Sequence, residues 1–103
     1  MNSTSFRQCW NQICANLRPI PKMYSWSVAG RAKSSFCIFE VARDGITVKT
    51  AQDTRRFVPR RDFESIYDRW TDYKNGKIKR HELRDLSVHS TYVVSVLHWL
   101  ELQ

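Results

Sequence analysis

Apolar residues recur at helical spacing near the start of the chain, at Phe6, Cys9, Trp10, Ile13, Cys14 and Leu17. These intervals trace one stripe of an amphipathic helix, and they predict a core-packing helix within residues 1–18. Ser3 or Ser5 can cap its first turn, and Pro19 and Pro21 end it. The period then falls to two: Tyr24, Trp26 and Val28 alternate with serines, which predicts a half-buried strand over 23–28. Gly30, Arg31, Lys33 and the serines around them read as a basic loop over 29–35, before a second strand over 36–42. Asp44-Gly45 is a two-residue hairpin signal that pairs this strand with 46–50. In that register Val41 faces Val48 and Arg43 faces Ile46, while Glu40 faces Lys49 on the opposite side. A short fourth strand over 55–58 stops at Pro59, which cannot donate to a ladder.

Beyond Pro59 the helical period returns. Phe63, Ile66, Tyr67, Trp70 and Tyr73 predict a helix over 60–73, with Asp62 at its positive end and Lys74 and Gly76 at its finish. A short helix over 79–86 packs Leu83 and Leu86. A last one over 90–102 turns Val93, Val96, Leu97 and Leu100 inward and places Thr91, Ser95 and His98 on a polar stripe. The same segment also alternates as a strand would, at Tyr92, Val94, Val96, Leu100 and Leu102, and helix is the reading adopted. The expected architecture is α+β: an N-terminal helix, a four-stranded antiparallel meander over 23–58 and a three-helix unit over 60–102. At 103 residues these form one domain, 1–103.

Composition narrows the setting. Cys9, Cys14 and Cys37 are an odd number without metal-ligand pairing, and they read as reduced packing residues. There is no signal-peptide pattern in 1–17 and no apolar run of ~18 residues, so the expectation is a cytoplasmic protein without a membrane partner.

The formal charge is +7 and it is unevenly spread. Residues 1–42 hold five basic residues and one acidic, residues 43–61 six and two, and residues 62–103 six and seven. Such an excess attracts polyanions. Two groups of cations are candidates for phosphate contact: Arg31, Lys33, Arg55 and Arg56 at one end of the meander, and Lys77, Lys79, Arg80 and Arg84 around the short helix. The helices over 79–86 and 90–102, joined by Ser87-Val88-His89, resemble a helix-turn-helix. That resemblance implies base readout by polar residues at the start of the last helix: His89, Ser90, Thr91 and Ser95.

Other chemistry is thinly represented. His81, His89 and His98 stand at no ligand spacing, so neither a metal nor a cofactor is expected. No nucleophile elbow, phosphate-binding glycine loop or dinucleotide fingerprint occurs, and the expectation is a non-enzymatic protein. A metal-dependent nuclease is the enzymatic alternative, using Asp68, Asp72 and Asp85, or Glu40 with Lys49 in a faint echo of a restriction-type pattern. A second alternative is an interaction module, homodimeric through Trp99, Tyr92 or a free sheet edge.

The run with Ile46, Val48, Arg56-Phe57, Pro59, Asp62-Phe63, Tyr67, Trp70, Tyr73, Gly76, Arg80, Leu83, Ser87 and Ser90-Thr91-Tyr92 is similar to the C-terminal unit of short bacterial proteins. Some of those travel on mobile elements such as integron gene cassettes. The resemblance implies an accessory protein and carries no active-site residue. Together these features give the expected function: a small basic protein that binds DNA or RNA, or regulates through such binding.

Overall fold

The computed structural model describes the backbone of residues 3–27 and 30–103 and the side chains of 6–27 and 34–103. Helix α1 (Ser3–Asn16) leads into four strands, β1 (Ile20–Ser27), β2 (Gly30–Ala42), β3 (Gly45–Lys49) and β4 (Arg55–Pro59). Four helices follow: α2 (Arg60–Tyr67), α3 (Trp70–Lys74), α4 (Arg80–Leu86) and α5 (Ser90–Glu101). The sheet is an antiparallel meander in the order β1-β2-β3-β4. The α+β architecture expected from the sequence is the one observed.

The predicted stripe on α1 is buried at Phe6, Cys9, Trp10, Ile13 and Leu17. Its aromatic rings meet α2, with Trp10 5.1 Å from Phe63 and Phe6 5.6 Å from Tyr67 between centroids. The Trp10 indole N–H donates to the Arg43 carbonyl at 2.9 Å, so α1 is also tied to the turn between β2 and β3. The serines proposed to cap α1 have side chains outside the described residues.

Three expectations about the sheet are corrected. Strand β1 starts at Ile20, because Pro21 sits on an edge strand where a missing N–H costs no ladder bond. Over 30–35 the predicted basic loop is strand, while residues 28 and 29 lie outside the described residues: Gly30 pairs with Ser27, Arg31 with Trp26 and Ser35 with Tyr24, satisfying backbone groups that propensity alone would leave to water. The β2–β3 turn is Arg43-Asp44, with Ala42 opposite Gly45 and Val41 opposite Ile46. A bulge after Ile38 then sets Ile38 against Val48 and Cys37 against Lys49. Glu40 therefore faces Thr47, and the ammonium of Lys49 meets Asp53 at 2.9 Å instead. The physical reason lies at Gly45, which serves a close approach of β4: a β-carbon there would stand 2.5 Å from both the Phe57 ring and the Val58 carbonyl oxygen.

The predicted helix over 60–73 is two helices. At Arg69 the backbone bond tightens to the Ile66 carbonyl, 2.9 Å away and three residues back, and the axis restarts at Trp70. Phe63 and Ile66 before that adjustment and Trp70 and Tyr73 after it are all buried. Lys77 N–H then donates to Asp72 O and Gly76 N–H to Tyr73 O, with Gly76 at φ +77°, a left-handed cap that ends α3 as the sequence indicates.

Helix α5 is the centre of the molecule. Val93, Val94, Ser95, Val96 and Leu97 are all buried, so the helix is covered by β1 on one side and α2 on the other. Ser95 Oγ accepts the Trp26 N–H at 3.0 Å and donates to the Thr91 carbonyl at 2.8 Å, joining sheet to helix. His98 stacks on Trp26 with centroids 4.1 Å apart and planes 5° from parallel. Near the end of α5, Glu101 accepts from the Trp70 indole at 3.0 Å and pairs with Lys74. Among the described residues, no helix is long and apolar enough to cross a membrane.

Candidate nucleic-acid interface

The base readout expected of Ser90 and Ser95 fails on burial. Ser90 and Ser95 are 1% and 2% exposed, so neither can reach a base edge. Arg80 faces inward as well: its guanidinium donates to Ser90 Oγ and Thr91 Oγ1, each at 2.8 Å, clamping α4 onto the start of α5. Burial pushes the Arg80 pKa down, as expected of a guanidinium partly withdrawn from water. Thr91 remains exposed, and His89 is half-buried. Lys77, Lys79 and Arg84 are exposed around α4, and the Lys79 amide is held by the Glu82 carboxylate at 2.7 Å.

The other predicted group divides as well. Arg31 and Lys33 lie on the backbone of β2 where it pairs with β1, and their side chains are outside the described residues. Arg55 and Arg56 are neighbours on a strand and so point to opposite faces of the sheet. Arg56, opposite Val48, lines a cleft on the helix side. Arg55, opposite Lys49, lies on the face that the helices leave open.

That open face is the feature sequence reasoning missed. With Met23, Phe36, Ile38, Ile46, Val48 and Val58 turned into the core, their strand neighbours must turn outward. Cys37, Lys49 and Arg55 are successive partners across β2, β3 and β4, and Lys22 lies in the bulged stretch of β1 beside them. This cationic row is flanked by three large rings: Tyr24 on β1, Phe39 on β2 and Phe57 on β4, exposed by 39%, 38% and 46%. Cations and rings touch. Arg55 lies 4.1 Å and Lys49 5.8 Å from the Phe39 centroid, and Lys22 lies 5.3 Å from that of Tyr24.

The charge balance of this face is set by few groups. Among the described residues only two ion pairs form, Lys49 with Asp53 and Lys74 with Glu101. Lys22 and Arg55 form no ion pair among them, although the Arg55 guanidinium adds a smaller attraction to the Asp53 carboxylate. The Asp53 carboxyl is held below its ordinary range by its hydrogen bond and attraction to Lys49, and this exposed pair is open to exchange with another anion.

Among the described residues, no three His, Cys, Asp or Glu side chains converge as metal ligands. The proposed dimer anchors are partly covered: Tyr92 packs edge-on against Phe36 with centroids 5.0 Å apart, and Trp99 packs against the core. No family model, curated protein or solved structure matches this chain.

Proposed function

We propose that the protein is a non-enzymatic binding module for single-stranded nucleic acid, with the open face of the meander as its platform. The observation that carries this reading is the interleaving of Tyr24, Phe39 and Phe57 with Lys22, Lys49 and Arg55 on one exposed surface. Unpaired bases stack on aromatic rings and on guanidinium planes, while neighbouring cations track the phosphates. The rings on β1 and β4 are three strand spacings apart, about 14 Å, a breadth suited to a strand laid across the sheet. A duplex hides its base faces and gains nothing from such rings. The likeness to mobile-element proteins includes Phe57 but assigns no role to any residue of this face, and it adds no weight to the assignment.

Fluorescence anisotropy with a labelled single-stranded oligonucleotide and the matching duplex, from 50 to 200 mM salt, tests the proposal. Tighter binding of the single strand is expected, with a log–log salt slope of roughly −2 for three phosphate contacts. Equal or tighter binding of the duplex would contradict it. So would a face used for self-association, seen as a mass that rises with protein concentration without oligonucleotide binding.

A further inference from the structure

On the helix side of the same sheet end, a cleft of about 510 Å³ opens between the 50–54 loop, β2 and the start of α5. The hydroxyl residues Thr50, Thr54 and Thr91 line it, with a single cation, Arg56. No carboxylate lines it, and Arg56 forms no ion pair among the described residues. The edge-on pair of Phe36 and Tyr92 supplies an apolar wall. Thr91 carries a further bias: its Oγ1 accepts from Arg80, which leaves its own O–H to donate and places a second guanidinium behind it. The cleft is thus rich in donors and free of negative charge, as an anion site requires.

We infer that this cleft binds the phosphate of one nucleotide, with Arg56 and the Thr91 hydroxyl on the phosphate and the Phe36–Tyr92 wall against the sugar or base. The inference deepens the reading of the open face as a nucleic-acid platform, because adjacent residues of one edge strand serve the two surfaces. Arg55 addresses a strand on the open face and Arg56 receives its next nucleotide round the edge of β4.

The test is an amide chemical-shift titration of the full chain with adenosine monophosphate, with adenosine and with inorganic phosphate. Adenosine monophosphate is expected to shift residues 50–54 and Thr91, in the wild type and in Phe57→Ala alike, whereas adenosine leaves them in place. Arg56→Gln, at an exposed position, is expected to keep the thermal midpoint and weaken the nucleotide about tenfold, the loss of one charge-assisted contact. Undisturbed 50–54 amides, an unchanged affinity in Arg56→Gln, or inorganic phosphate binding as tightly as the nucleotide would overturn the inference. The mononucleotide needs no platform. Shifts in the cleft without oligonucleotide binding would therefore overturn the platform and leave the cleft standing.

Discussion

Phe57 lies across Gly45: its Cζ is 2.5 Å and its Cε1 2.9 Å from where a β-carbon at residue 45 would stand, yet the ring is 46% exposed. Glycine on β3 lets the ring settle onto the backbone with one side toward solvent, which is the geometry that stacking needs. Phe57→Ala is expected to weaken single-strand binding roughly tenfold, within the range of one stacked base, and to shift the thermal midpoint little. Gly45→Ala is expected to lower stability by about 1–3 kcal/mol through overpacking, measured by urea denaturation. The double variant recovers only part of that loss, because the Val58 carbonyl remains 2.5 Å from the added carbon.

Asp53 opposes the function proposed for its neighbours. It stands at φ +68°, a conformation that Asn adopts readily, and it holds the ammonium of Lys49. Asp53→Asn keeps the loop and removes the competing carboxylate. Anisotropy at 100 mM salt is expected to show about two- to fivefold tighter oligonucleotide binding, the scale of an exposed ion pair. Weaker binding would show that Asp53 supports the site.

Arg80 is assigned to the fold and not to the ligand. Arg80→Gln removes a charged donor from buried Ser90 and from Thr91, and a loss of roughly 2–3 kcal/mol is expected in chemical denaturation. At temperatures where the variant stays folded, platform binding persists. A large loss of affinity with unchanged stability would return Arg80 to the interface.

Burial, with a smaller contribution from the Glu101 carboxylate, pushes the Cys9 thiol up from 9.0 to about 11. Between these values the unfolded chain has released a proton that the folded chain keeps. Stability is therefore full below pH 9 and falls as the pH rises toward 11. The raised pKa of Tyr67, again from burial first, acts in the same direction. Denaturation midpoints at pH 8, 9, 10 and 11 check this, and Cys9→Ala is expected to flatten the decline. At pH 8 about one part in a thousand of Cys9 is thiolate, so alkylation of the native protein is expected to spare it.

The order of elements was legible because stripes such as Phe6 to Leu17 are strictly periodic and turn residues separate the strands. The open face was not. On β2, Phe36, Cys37, Ile38 and Phe39 are apolar at both parities, so alternation cannot say which pair is buried. On β1 the visible alternation assigns Tyr24 and Trp26 to one side, but an irregularity between them leaves Tyr24 outside while Trp26 packs against His98. The opposite facing of Arg55 and Arg56 follows from strand geometry alone. Ser90 and Ser95 looked available because short hydroxyl residues read as surface, and only tertiary hydrogen bonds to Arg80 and Trp26 make their burial tolerable.

The most direct measurement is a backbone amide shift map of the protein titrated with a short single-stranded oligonucleotide. The account predicts perturbation centred on Lys22, Tyr24, Cys37, Phe39, Lys49, Arg55 and Phe57, with the exposed turns of α4 at Lys79 and Arg84 unaffected. Perturbation centred on α4 and the start of α5, with the open sheet face silent, would contradict it.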